Sequence, residues 1–386
     1  MTDGFEIKIL SDLRDIEGIR KDWKKWVTAP YSDIDFFLTM IEAQKPAGKP
    51  HVILLHARGS PAAIVVAHLT ESVLDFKVSH KSIFRAPLKT LTVVTGGLLG
   101  DQTIEVTKGV VGALLNSLRV SGADALVIGH TRTDSDFFQM LRKQTSFLCW
   151  DQTLEVGRHW KMAVCDTMEG VYLSLSGEHR KKLRWQNRNF EKHFQGGLRV
   201  HCFRELAERE VMVKDVEEIA RRTYQRSLGS SFVDNEANRK RITLECSKGW
   251  LRMYVLYVND KPCAYWWASL YDRTLYSEAM GFDTDYRRYS PGMYLLTKAL
   301  EELCKEGVKA VDFGAGDFLY KRQFGNECWN ETMVFYVFAP KLRTIYLNVL
   351  RTMFGAFRHS SRWILGRCNL LSSIRKFCRH KMVPEA

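Results

Sequence analysis

The chain has 386 residues, 45% apolar and 26% charged, enough to bury the cores of two globular domains and too apolar for a disordered chain. Its formal charge of +13 points to an anionic partner, but ten Lys/Arg against one acid in residues 341–386 supply +9 of it, which argues against a nucleic-acid surface spread over the whole protein. Nine scattered cysteines with no CxxC pair or Cys/His zinc spacing, an acid-bearing start (MTDGFEIKIL) and no run near the ~18 apolar residues of a membrane span predict a cytoplasmic protein with free thiols and no metal.

In chain order, residues 5–10 read as a strand and 12–27 and 33–44 as helices. PHVILLHARGSPAAIVVAHLT reads as a hairpin turning at Arg58-Gly59-Ser60-Pro61, and LKTLTVVTG as a further strand. An amphipathic helix (TIEVTKGVVGALLNSLRV), a buried strand (ADALVIGH) and a short helix (SDFFQMLRK) follow. The order then repeats. Residues 198–203 form a strand, and 211–227 and 235–247 helices. Three strands turn at Asn259-Asp260 and Asp272-Arg273. A helix spans 291–306, a strand 308–314 and a short helix 317–324, and 329–338 is a last strand. A repeated order predicts two related α/β modules, 1–160 and 161–340, followed by a basic helical tail, 341–386.

Several stretches carry chemistry. In DYRRYSPGMYLLTKAL, Ser290 is a good N-cap and Pro291 suits the first helical position, while Arg287 and Arg288 stand beside a helix N-terminus able to hold an anion. In TLYSEAMGF, alternation puts Tyr276, Glu278 and Met280 on one strand face; a carboxylate there is costly unless it is paired or working. In VDFGAGDFLYKRQFG, Gly314 and Gly316 permit close backbone approach, and Asp317 can cap the helix bearing Tyr320 and Lys321. In HRKKLRWQNRNFEKH, Arg180, Arg184 and Arg188 form a helical stripe, either a solvated face or a phosphate-binding one. His159, His179 and His193 read as ordinary surface residues, and Cys246 and Cys263 as core. In the tail, Leu342, Ile345, Val349, Met353 and Phe357 follow helical spacing among arginines. Such a helix suits an anionic membrane surface, or packs on a module or partner.

The blocks at 179–200, 281–300 and 311–325 resemble the GNAT acyltransferase superfamily, and the tandem arrangement resembles its CelD/FemAB-like group. The resemblance implies two modules, each a mixed central sheet flanked by helices, with the first a degenerate copy recognisable only by element order: its TGGLLGDQ has no Arg or Gln before the third helix. It implies an enzyme that moves an acetyl or other acyl group from acyl-CoA to an amine or hydroxyl of a sugar or envelope-related acceptor, as in exopolysaccharide modification. Arg287-x-x-Ser290-x-Gly292 matches the family's pyrophosphate loop with Ser in place of the first Gly. By the same resemblance Glu278 is the general base, Tyr320 the general acid, Gly314 and Gly316 line the donor, Lys321 contacts it, and Arg180, Arg184 and Arg188 hold the acceptor. The tail would set the protein at the inner face of the cell membrane. Two other functions stay open: a FemAB-like transferase drawing on aminoacyl-tRNA, and a non-catalytic GNAT pair in membrane-associated polysaccharide assembly, which the Ser290 departure favours.

Overall fold

The computed structural model describes residues 4–43, 48–78, 81–223, 226, 229 and 231–367. In chain order the elements are β1 (Phe5–Leu10), α1 (Leu13–Gly18), α2 (Arg20–Trp26), α3 (Ile34–Ala43), β2 (Lys49–Pro50), β3 (Val52–Ala57), β4 (Ser60–Val78), β5 (Lys81–Gly100), α4 (Ile104–Val120), β6 (Ala125–Gly129) and α5 (Asp136–Gln144). They continue with β7 (Val156–Ala163), α6 (Met168–Ser174), α7 (Gly177–His193), β8 (Leu198–Phe203), α8 (Arg209–Arg221), α9 (Glu236–Ser247), β9 (Leu251–Val258), β10 (Lys261–Tyr271) and β11 (Thr274–Phe282). The chain closes with α10 (Pro291–Lys305), β12 (Ala310–Ala315), α11 (Leu319–Phe324), β13 (Glu327–Thr332), β14 (Val334–Phe338) and α12 (Leu342–Arg367). Local chemistry sets many of these boundaries. Thr103, Ser135, Thr167, Ser176 and Asn235 each cap a helix by accepting a backbone N–H. Asn259-Asp260 and Asp272-Arg273 take the two positive φ values that a tight hairpin needs.

Two mixed sheets result. One runs β1-β3-β4-β5-β6-β14 with β2 on β4, the other β13-β7-β12-β11-β10-β9-β8. In both, an antiparallel meander leads to one parallel pair, β5 with β6 and β11 with β12, as the repeated element order predicts. The second sheet separates two cores. On one face α10 and α7 cover Leu275, Val311, Phe313 and Trp266. On the other α8 and α9 cover Met253, Tyr265 and Trp267.

The modules are not continuous in sequence. One compact unit comprises Met1–Trp26, Lys45–Val156 and Thr332–Ala386, the other Val27–Gln44 and Gly157–Glu331. The expected last strand, 329–338, is two strands broken at Met333. β13 joins the second sheet, and β14 pairs antiparallel with β6 in the first. β7 was not anticipated; it pairs with β12.

The expected tail is also not a separate segment over its described part, which ends at Arg367. Leu347, Leu350 and Phe354 of α12 pack against Leu74, Phe76, Leu88 and Phe338 of the first unit. Asn348 donates to the carbonyls of Leu148 and Trp150, and Arg351 pairs at 3.1 Å with the fully buried Asp151. These contacts anchor one face of α12 to the core, and to the first unit rather than the second. The rest of the expected tail, 368–386, lies outside the described residues. Among the described residues, no helix is long and apolar enough to cross a membrane.

Candidate active site

The strand carrying Glu278 is not regular. Trp267 faces Ala279 and Ala268 faces Ser277, so Glu278 is the extra residue of a β-bulge. The bulge flips the alternation expected from sequence. Leu275, Met280 and Phe282 pack on the α10 side, Ala279 on the α8/α9 side. Glu278 thus does not share a face with Met280. It reaches Arg241 of α9, whose guanidinium lies 2.5 and 2.9 Å from its two oxygens and also donates to the fully buried Glu245 at 2.7 Å. Glu245 in turn accepts from Trp267 and Ser269. Tyr31, from the segment before α3, completes this network: burial and the Glu278 charge raise its phenol well above the ordinary value. Glu278 is therefore half of a largely buried ion pair with Arg241.

The parallel ladder between β11 and β12 covers only Thr274–Tyr276 against Ala310–Asp312. Both strands continue past it, β11 to Phe282 and β12 to Ala315, so the sheet opens immediately after the Tyr276–Asp312 pair. A charged cluster stands at that fork. His159 of β7 lies 2.6 Å from Asp312 through Nε2 and 2.8 Å from Glu331 through Nδ1, and its ring stacks on Trp329 at 4.3 Å. Burial alone would lower the imidazole's pKa; hydrogen bonds to Asp312 and Glu331 outweigh it and raise the value to about 9. At neutral pH the imidazole is therefore protonated, with one N–H directed to each of the two carboxyl groups. Burial and the Asp312 charge also push Tyr276 up to about 12. Its ring meets Tyr31 edge-on at 6.0 Å, which connects the fork with the Glu278 network.

Lys321 closes the other side. Its ammonium donates to the carbonyls of Phe313, Gly314 and Ala315 at 2.5, 3.2 and 2.7 Å, and desolvation lowers its pKa to about 8. Gly314 adopts φ +69°, which turns its N–H back to Asp312 at 2.8 Å. Gly316, at φ +109°, donates its N–H to Arg158 of β7. The lysine thus fixes the end of β12 from inside. Tyr320, next to it on α11, is half-buried between Phe313 and Phe318. Asp317 does not cap that helix as expected; it pairs with Arg322.

At the open end of β11, a short 3₁₀ turn (Thr284–Tyr289) leads into α10. Ser290 adopts the left-handed conformation, φ 55° and ψ 53°, a position where Ser is strained and Gly is not. Contrary to expectation its hydroxyl does not cap α10; it accepts from Gln186 of α7 at 3.1 Å. Pro291 has no N–H, and the N–H of Gly292 finds no acceptor among the described residues. A Cβ on Gly292 would meet only ordinary contacts at 3.6 Å or more, so the protein's own packing does not demand glycine there. Arg287 and Arg288 are exposed beside it. This mouth suits a phosphate group: an uncapped helix end, a free amide and two guanidinium groups. In the first unit the equivalent helix, α4, is capped in the ordinary way by Thr103.

α7 serves this loop. Besides Gln186, His193 shares a 2.5 Å hydrogen bond with Tyr289, whose ring stacks on Phe190 at 5.6 Å. Of the expected arginine stripe, Arg184 pairs with Glu169 and covers Tyr172, Arg188 bonds the carbonyl of Arg184, and Arg180 is half-buried. Arg184 and Arg188 line a hollow of about 390 Å3 that also holds Glu191 and Glu301, so the stripe is not purely cationic. None of the three histidines is an idle surface residue: His159 and His193 act as described, and His179 is buried edge-on to Phe324. Cys263 lies in the α7/α10 core, and Cys246 is partly buried against the α8/α9 cluster on the other face of the sheet.

The forked parallel pair, the loop after β11 and the helix that follows place this site in a known class. Residues 177–322 match the family model of the acetyltransferase (GNAT) domain. The crystal structure of FemX superposes with a TM-score of 0.55 at 11% identity, covering 86% of this chain and 97% of that one. A tandem GNAT protein from the clavulanic acid biosynthesis pathway gives 0.53 at 13%, covering 87% and 99%. Comparison with curated proteins found no match. The chain has the fold of these tandem GNAT structures, and residues 177–322 of its second unit match the GNAT acetyltransferase domain.

Proposed function

We propose that the second unit transfers an acyl group from acyl-CoA to an amine or hydroxyl, by direct attack and without a covalent enzyme intermediate. The observation that carries this reading is the fork after Tyr276–Asp312, with a charged trio at its base and an uncapped, arginine-flanked helix mouth at the end of β11. Acyl-CoA, when bound, supplies a thioester already activated for attack. Arg287, Arg288 and the Ser290–Gly292 backbone hold its pyrophosphate, and Gly314 leaves room along β12, with Gly316 just beyond it. The base in this reading is Asp312, which stands at the fork itself, whereas Glu278 is held by Arg241 of α9. As Asp312 takes the acceptor's proton, the His159 imidazolium, which already carries both ring protons, stays paired with Glu331, so no isolated buried charge is left. Tyr320 keeps the role of general acid, and Lys321 that of a positioning residue for β12. A sugar or envelope-related acceptor rests on the resemblance.

Thermal unfolding with and without acetyl-CoA tests the donor assignment. Acetyl-CoA should raise Tm, and Arg287→Ala should remove most of that gain while leaving the apo Tm unchanged, since a charge-assisted contact contributes ~1.5–3 kcal/mol. Equal stabilisation of both proteins would overturn it. Stabilisation by charged tRNA and not by acetyl-CoA would favour an aminoacyl donor.

A further inference from the structure

α12 has two apolar faces, one packed in a core and one exposed. The inner face, Leu347, Leu350 and Phe354, closes the core of the first unit. The outer face carries Leu342, Tyr346, Val349, Met353 and Phe357 at helical spacing, each 43–90% exposed. The set differs from the stripe expected from sequence by one residue: Tyr346 is exposed where Ile345 is half-buried. Two other elements of the same unit bring exposed apolar side chains beside this helix. Phe147 and Leu148, 72% and 50% exposed, lie in the loop whose carbonyls Asn348 holds. Ile83 and Phe84, 61% and 48% exposed, lie near the tip of the β4–β5 hairpin, and Phe76 joins Phe84 to Phe354 by ring contacts of 5.5 Å on each side. Three separate segments thus expose large apolar groups around one helix, more than scattered surface residues account for.

The charge of the sequence that this helix leads into says what covers it. Residues 341–386 carry ten Lys/Arg and one acid. Among the described side chains, Lys341 and Arg343 pair with Asp124, and Arg351 with Asp151. The other seven, from Arg358 onward, come from a stretch whose only acid is Glu385. Arg85 adds an exposed cation next to Ile83 and Phe84. Large exposed apolar groups on a helix whose sequence runs on with seven cations and one acid match an anionic lipid surface, where the side chains enter the interface and cations meet the headgroups.

We infer that the outer face of α12, together with Phe147–Leu148 and Ile83–Phe84, is an interfacial docking surface for anionic membranes. It is independent of the transfer chemistry. The test is co-sedimentation of the full chain with vesicles of phosphatidylcholine containing phosphatidylglycerol, and with phosphatidylcholine alone, alongside its oligomeric state in solution by light scattering. The intact protein should sediment with the anionic vesicles only, and less so as salt rises. A triple variant, Tyr346→Ser, Met353→Ser and Phe357→Ser, alters only exposed side chains and should keep the wild-type Tm while losing more than about tenfold in vesicle binding. Binding unchanged in that variant, or equal binding to neutral vesicles, would overturn the inference. So would a wild-type dimer that ignores vesicles and that the triple variant turns into a monomer, which would assign the face to a second copy of the chain.

Discussion

Replacing His159 with Gln removes the cation between Asp312 and Glu331 and leaves the rest of the fork in place. The folded protein holds the His159 proton up to about pH 9, whereas an unfolded chain releases it near 6.5. Its raised value makes the group stabilising when protonated: the contribution is complete below pH 6.5 and is lost as pH rises through about 9. Over that window it amounts to about 3 kcal/mol, and His159 is exposed enough at 13% of its side chain to titrate without being screened by solvent. Lys321 acts in the opposite sense. Its lowered value, about 8, makes stability rise with pH between about 8 and 10.5, so the two effects oppose each other between 8 and 9. Urea unfolding at a series of pH values from 6 to 9 should show the wild type losing stability mainly below pH 8. His159→Gln should be less stable than wild type at pH 6, with the gap closing towards pH 9. A gap that stays constant across the range would refute the reading of His159 as a charge shared by two carboxylates.

Tyr320→Phe should lower turnover far more than acyl-CoA affinity, because a proton donor acts mainly in the transition state; steady-state kinetics and direct binding separate the two. Glu278→Gln should cost about 3 kcal/mol of stability by leaving Arg241 without one of its two carboxylates, and should leave the pH–rate profile in place, read by urea unfolding and initial rates across pH. Leu347→Ala should destabilise the first unit by about 2–5 kcal/mol, since Leu347 is 3% exposed in its core; a loss below about 0.5 kcal/mol would show that α12 does not belong to that core.

Much of the second unit was legible in local sequence. The turns at Asn259-Asp260 and Asp272-Arg273, the helix opening at Pro291 and the short helix bearing Tyr320 are encoded within a few residues, by turn chemistry, proline and periodicity. The repeated order of elements pointed to two related modules for the same reason. What the sequence could not show depends on partners far along the chain. β7, with Gly, Arg, His and Lys in an eight-residue strand, has no apolar alternation to announce it; pairing with β12 makes it a strand, and that pairing brings His159 to Asp312, 153 residues away. The bulge at Glu278 follows from its register against β10, and its ion pair from Arg241, 37 residues upstream; alternation alone put Met280 on the wrong face. At Met333 a single apolar run divides between two sheets, because β6, and not any neighbour in sequence, offers β14 its hydrogen bonds. Local sequence fixes which conformation a segment prefers. Which edge it pairs with, and hence which charges meet, is settled only when the tertiary structure closes, because hydrogen-bonding edges are alike in every strand and only the assembled cores tell them apart.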